Sequence, residues 1–309
     1  MSKETTKSLE FNNISASTKT FVMKTNLTID IEQLFQNLPI TSYIIIPKKR
    51  GRKKKNAPEN PNKDISDGSI ITLGYKDKTR GVDLKKKKKN SGHITYFRNA
   101  TSVVMIIQNK IIDFKISKNG KFQMTGCKFR SQAEKCIHYI WTCIINTNYY
   151  KFENETDKHL KVMFIPSMRN IDFDIGFHIN RESLDHYINT KTDYRSLLET
   201  SIGYTGVNIK FPFTKSILDI KIKQRDWINS EWQPIELVSY NKYLDTENPK
   251  DRKKKLDKKR YTTFLVFHSG KTIMSCIDKD FGRDHFYDFI NILHKNRNIL
   301  EEKLDKIIN

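Results

Sequence analysis

Two stretches of this chain carry the same alternation of apolar and polar positions, and each predicts a strand, a tight turn, a second strand and an amphipathic helix. The first is Lys110–Trp141 (KIIDFKISKNGKFQMTGCKFRSQAEKCIHYIW) and the second is Arg260–Leu293 (RYTTFLVFHSGKTIMSCIDKDFGRDHFYDFINIL). In the first, Ile112, Phe114 and Ile116 alternate with Asp113, Lys115 and Ser117, the period of two expected of a half-buried strand. In the second, Phe264 and Val266 take the core face, while Thr263, Leu265 and Phe267 line the other. Ile273 and Ser275 extend that second face, where the first stretch has Gln123 and Thr125. An apolar, weakly polar face on a strand already backed by a core is a binding surface more often than an accident. The competing expectation is that an insertion or a partner covers it.

The matching glycines, Gly120 and Gly270, lie half the chain apart. A repeat of that length is too long for a solenoid unit and predicts a duplicated half-domain with pseudo-two-fold symmetry. Two like halves suit a roughly two-fold symmetric partner, of which duplex nucleic acid is the obvious example.

The surrounding pattern fills out both halves. Strands are expected at Thr20–Leu27, Thr101–Ile107, Lys110–Ser117 and Lys121–Thr125, with a helix Ile31–Leu38 capped by Asp30 and ended by Pro39. A helix over Ser131–Ile145 places Ala133, Cys136, Ile137, Ile140, Trp141 and Ile144 on one face. The second half repeats the order. It has a strand Ile171–Phe177, a helix Arg181–Ile188 capped by Asn180, and strands Thr205–Phe211, Tyr261–Phe267 and Lys271–Ser275. A long helix from about Arg283 closes it, with Phe286, Ile290, Leu293, Leu300 and Leu304 on one stripe. The expected fold is α+β: two β-α-β-β-β-α half-domains forming a curved antiparallel sheet, a saddle, backed by helices. The expected organisation is a flexible tail at 1–17, a first repeat at 18–150 with an insertion at 47–92, and a second at 158–309 with an insertion at 212–259.

Charge changes this picture only in the insertions. The net charge is +21, yet the runs Lys48–Lys55, Lys85–Lys89 and Lys250–Arg260 hold 20 of the 56 Lys and Arg residues. The remaining body is close to neutral. Runs of like charge repel and stay solvated, so these three are expected to be disordered loops. They would either solubilise the protein and direct nuclear import, or act as phosphate-seeking arms that raise salt-sensitive affinity for nucleic acid. Cys127, Cys136, Cys143 and Cys276 form no C-x-x-C pair and are read as buried free thiols. No apolar run approaches membrane-spanning length and the first residues are polar, so a soluble intracellular protein is expected.

The ordered set of motifs resembles one family, the TATA-box-binding proteins. Its (S/N)-G-K-x-x-x-T-G-x-K pattern is met as Asn119-Gly120-Lys121 through Thr125-Gly126-Cys127-Lys128. It is met again as Ser269-Gly270-Lys271, with Ser275-Cys276 in place of Thr-Gly. Asp174–Leu184 (DIGFHINRESL) is similar to the family's D-V-K-F-P-I-R-L-E-G-L, and Ile29-Asp30-Ile31 to its helix start. The likeness covers most of 18–145 and 173–293.

The resemblance implies a saddle whose strands lie in the minor groove and whose aromatic wedges kink the duplex. The wedge positions fall on Tyr204 and Phe267 in the second repeat, but on Ala100 and Ser117 in the first, where neither can act; Phe97 lies close by. The family's minor-groove asparagine falls near Thr18 and Met168, with Asn170 two residues on and on the same strand face. Val104, Gln123, Thr125, Leu265, Ile273 and Ser275 are implied on the concave face, and Lys121, Lys210, Lys271, Asn119 and Ser269 against phosphates. Hydroxyls such as those of Thr125 and Ser275 suit minor-groove acceptors, which distinguish A·T from G·C at best.

No nucleotide-binding glycine loop, nucleophile elbow or metal-spaced histidine set is present, so neither an enzyme nor a cofactor is expected. The expected role is transcription initiation. The protein would bind AT-rich duplex DNA, kink it mainly through the second repeat, and recruit initiation factors and RNA polymerase through its convex helices and turns. Its place would be a nucleus or a cytoplasmic viral replication site. The rivals are a non-bending protein scaffold within a transcription complex and a sequence-indifferent basic DNA-binding protein.

Overall fold

The computed structural model describes residues 9–45, 61–84, 96–198 and 206–303. In chain order the first half holds β1 (Ala16–Thr25), β2 (Leu27–Ile29), α1 (Ile31–Asn37), β3 (Ile70–Tyr75), β4 (Lys78–Gly81), β5 (Ala100–Ile107), β6 (Lys110–Ser117), β7 (Lys121–Cys127), α2 (Arg130–Ile144) and β8 (Tyr150–Phe152). The second holds β9 (Leu160–Asp174), α3 (Arg181–Lys191), β10 (Arg195–Leu198), β11 (Gly206–Pro212), β12 (Lys221–Ile228), β13 (Glu231–Trp232), β14 (Glu236–Ser239), α4 (Tyr240–Leu244), α5 (Pro249–Asp257), β15 (Tyr261–Phe267), β16 (Lys271–Cys276), α6 (Lys279–Lys295) and α7 (Arg297–Leu300).

The chain divides into two compact units, one of residues 20–165 and 222–238, the other of 1–19, 166–221 and 239–309. We call them the first-repeat and second-repeat units. In the first, strands neighbour one another in the order β1-β7-β6-β5-β3-β4; in the second, the order is β9-β16-β15-β11-β10. The pairings recorded within both are antiparallel. One face of each sheet packs on helices. In the first-repeat unit the core joins Val103, Phe114, Ile116 and Met124 to Leu34 of α1 and to Ile137, Ile140 and Trp141 of α2. In the second-repeat unit it joins Val207, Phe264, Val266 and Met274 to Leu184 of α3 and to Phe286, Phe289 and Leu293 of α6. The α+β class and the helix-backed antiparallel architecture are those expected.

The repeated glycine turn has the same structural task in both units. The amide of Thr25 donates to the Gly120 carbonyl at 3.0 Å, and that of Ile29 to the Lys118 carbonyl at 2.8 Å. In the second-repeat unit Ile175 donates to Gly270 at 3.1 Å and Ile179 to His268 at 2.8 Å. Each turn thus clamps the segment that leads into the capped helix. Asp30 accepts from the amides of Glu32 and Gln33, and Asn180 from that of Ser183. Both glycines have positive φ, and a Cβ would lie 2.2 Å from the Leu27 oxygen at Gly120 and 2.4 Å from the Phe177 oxygen at Gly270.

Several sequence expectations are corrected. Each unit has a strand between its first helix and its three-strand run: β3, with its hairpin partner β4, lies inside the segment read as the first insertion, and β10 precedes β11. The run Lys250–Arg260 is no disordered loop. Most of it is α5, with Asn248 accepting from the Asp251 amide, Pro249 in the first turn, and Lys254 and Lys255 in the last. Capping and dipole complementarity overcome the like-charge repulsion; Lys255 also pairs with Glu247 at 2.8 Å and Arg252 with Asp245 at 2.8 Å. The C-terminal stripe is not one helix, because α6 stops at Lys295 and α7 follows; Leu304 lies outside the described residues. Cys143 is exposed, unlike the other three cysteines. The runs Lys48–Lys55 and Lys85–Lys89 also lie outside the described residues.

A buried histidine gives the second-repeat unit a pH dependence. His285 of α6 is 6% exposed, packs edge-on against Phe211 and places Nδ1 2.9 Å from the Thr262 hydroxyl. Burial pulls its pKa below the ordinary 6.5, opposed by the charges of Asp288 and Asp284 and aided by that of Lys215. Below 6.5 the unfolded chain takes up a proton that the folded chain refuses. The contribution is therefore complete above 6.5 and is lost as pH falls toward the folded value. Denaturant midpoints are expected to fall on passing from pH 7.5 to 5.5, and His285→Gln to flatten that slope. An unchanged slope in the variant would assign the effect to other groups.

Candidate nucleic-acid interface

The helix-free face of the second-repeat sheet is laid out in rows by strand register. One row runs Arg195, Lys210, Thr263, Ser275, Asn170, and the next runs Leu197, Asn208, Leu265, Ile273, Asp172. Phe267 stands opposite Gly206 at the end of β15, and Lys271 opposite Asp174. The alternation read from the sequence is the reason. Thr262, Phe264, Val266, Thr272 and Met274 are buried on the helix side, which leaves Thr263, Leu265, Phe267, Ile273 and Ser275 half-buried on the other. Leu265 lies across Gly206, where a Cβ would come within 2.6 Å of its Cδ1. Phe267, Ile273, Lys271, Asp172 and Asp174 line an open cleft of about 740 Å³.

Hydrogen bonding orients two of these groups. The Ser275 hydroxyl donates to Asn170 Oδ1 at 2.8 Å, which turns the Asn170 amide N–H₂ into the donor presented on this face. Ser17 donates to Asp172 Oδ1 at 3.1 Å. Lys210 and Ser269 are exposed, and Lys271 is exposed beside the cleft. Tyr204, the other wedge implied by the resemblance, lies outside the described residues.

The corresponding face of the first-repeat unit is only partly open. Gln123 and Thr125 of β7 are exposed, opposite Lys115 and Asp113 of β6. Asn119 is exposed and Lys121 half-buried at the glycine turn. Toward β5 and β3 the same face is covered. Ile71, Val104 and Ile106 form a separate apolar cluster against which Tyr43, Ile65 and Leu84 pack. Val104, expected on the open face, is 7% exposed and lines a cavity of about 170 Å³ together with Leu84, Tyr96 and Asp113. The continuous apolar run Val103–Ile107 marks a strand buried on both faces, which alternation alone does not reveal.

Ala100, 4% exposed, faces Ser117 across β5 and β6, so the aligned wedge positions of this repeat hold no aromatic. Phe97 occupies the gap. It is 57% exposed, and Lys115 Nζ of the helix-free face sits 3.7 Å from its ring centre, a cation–π contact that holds the ring over that face. Ungapped matching passes over this residue. Its only signal in the sequence is an aromatic four residues before an expected strand.

Among the described residues no group of three or more His, Cys, Asp or Glu residues is placed to hold a metal ion, and no helix is long and apolar enough to cross a membrane.

By fold the chain is a protein of two helix-backed antiparallel repeats, with exposed Phe97 on the helix-free face of one and half-buried Phe267 on that of the other. No family model matches it. It is similar to an uncharacterized protein, 335L, of Invertebrate iridescent virus 6, at 25% identity over 91% of this chain and 83% of the relative. It is also similar to a TATA-box-binding protein-like protein of Acanthamoeba polyphaga mimivirus, at 27% identity over 67% of this chain and 57% of the relative. Superposition on the Methanococcus jannaschii TBP gives a TM-score of 0.42 at 12% identity, covering 91% of this chain and 98% of that one. The motifs present in both repeats and the likeness to the mimivirus relative point the same way, and the chain spans 57% of that relative's length.

Proposed function

We propose that the chain is a transcription initiation factor that binds AT-rich duplex DNA in the minor groove and bends it. At the coarser level it is a DNA-binding protein of transcription, the class to which the name of its mimivirus relative points. The observation that carries the finer reading is Phe267. It is an aromatic at a strand end that shares a cleft with Lys271 and Ile273; Leu265 lies two residues along the strand, and the row beyond it holds Lys210, Ser275 and Asn170. Apolar side chains part a base step, amide and hydroxyl donors meet the degenerate minor-groove acceptors, and lysines meet phosphates. Tyr204 joins Phe267 as a wedge in the second repeat, and Phe97 serves the first. Gln123, Thr125, Lys121, Asn119 and Ser269 complete the contacts, and α2 and α6 recruit initiation factors and polymerase.

A second reading has an observation of its own. Asp172 and Asp174 lie on the same face as Phe267, and their carboxylates repel phosphate. A protein-binding scaffold that does not bend DNA would tolerate them.

End-labelled FRET on an AT-rich and a GC-rich duplex at near-physiological salt separates the two. Shortening of the end-to-end distance on the AT-rich duplex alone is expected. Equal binding to both without shortening would leave the scaffold or a sequence-indifferent basic DNA-binding protein.

A further inference from the structure

The second insertion builds a concave site that neither the repeats nor the proposed interface uses. The segment after β11, from Pro212 to Leu218, meets the end of α5 and the approach to β15, from Leu256 to Tyr261, around a cleft of about 380 Å³. Its apolar lining is unusually open. Leu218 is 37% exposed, Tyr261 40% and Leu256 41%, whereas Phe213 is half-buried and packs at a tilt against Phe281, ring centres 5.2 Å apart. Lys215, Lys258, Lys259 and Arg260 surround it, against one acidic lining residue, Asp257. Arg260 is held in place, donating to the carbonyls of Lys258 at 3.0 Å and Lys255 at 2.6 Å, and Lys215 pairs with Asp284 at 2.9 Å.

A phosphate backbone needs the cations but gains nothing from two exposed leucines. An apolar side chain with flanking carboxylates uses both features. We propose that this cleft binds an acidic segment of a partner protein, with a leucine- or phenylalanine-type side chain seated between Leu218, Leu256 and Tyr261 and its carboxylates on Lys258 and Lys259. Burial of the seated side chain supplies affinity and the lysines supply steering and register. The site stands apart from the DNA reading and survives its failure.

The test uses the full chain and a short fluorescein-labelled peptide of repeating Asp-Leu-Glu-Phe units, followed by fluorescence anisotropy. Acidic peptides are attracted by every basic run in the chain, so the leucines decide the outcome. Saturable binding is expected, weakened about tenfold by L218S/L256S and by a similar factor in K258E/K259E. A duplex of random sequence should not displace the peptide. The leucines are surface residues, and an unchanged thermal transition in the variant confirms that the fold is kept. No binding, or binding that ignores the leucine pair and is displaced by duplex, would overturn the proposal and leave a plain cationic surface.

Discussion

Alanine in place of Phe267 is expected to weaken binding to an AT-rich duplex by about thirtyfold and to remove most of the bend. A ring that parts a base step is a buried, central anchor of the complex, and truncating such an anchor costs about 2 kcal/mol. Phe267 is half-buried at the strand end and is not a member of the second-repeat core, so most of the loss should fall on binding rather than on folding. Phe97→Ala should act in the same sense, and more weakly, because the first-repeat face offers less open surface around it. The two residues belong to different units and share no recorded contact, so the free-energy losses should add. Affinity for a GC-rich duplex, held by phosphate contacts, should change little in either variant. The readout is FRET shortening together with anisotropy titration. Full bending by the doubly substituted protein would remove Phe267 and Phe97 as wedges, and full bending once Tyr204 is also replaced by alanine would remove the wedge mechanism altogether.

Gly120→Ala and Gly270→Ala are each expected to destabilise their own unit by about 2 kcal/mol or more. Both positions combine a left-handed backbone with a carbonyl oxygen where the methyl group would go, and neither turn can relax without releasing the clamp on the helix-leading segment. The two variants can be told apart. The chain has three tryptophans, Trp141, Trp227 and Trp232, and all belong to the first-repeat unit. Urea unfolding followed by tryptophan fluorescence should move to lower midpoint in Gly120→Ala. The Gly270→Ala loss should appear in the far-ultraviolet circular dichroism transition. An unshifted fluorescence midpoint in Gly120→Ala would mean that the turn is not structurally required.

The parts of the fold that were legible are those governed by local physics. Period-two alternation placed β6 and β15 at their observed residues, and the capping residues Asp30 and Asn180 placed the starts of α1 and α3. What was hidden depends on tertiary context. β10 is four residues long with Leu197 60% exposed, too short for a period to register. The helix α5 was masked by its charge, although Asn248-Pro249 was an available start signal. The open and the covered halves of the first-repeat face could not be told apart, because strands buried on both sides read the same whether a core or a returning loop lies over them. Phe97 was visible only as an aromatic close to the matched positions, because ungapped matching places Ala100 and Ser117 there and gives Phe97 no place of its own. The second-repeat face was readable since its apolar residues alternate with a core that leaves no doubt which side is which.

Each repeat has a hydrophobic core of its own, and the two sets of residues share no member among those described. A gene built this way carries a structural spare. Substitutions on the helix-free surface of one half leave the core of the other untouched, so the two surfaces can change independently without either half losing its fold. One surface open and the other partly covered is a difference that such independence permits.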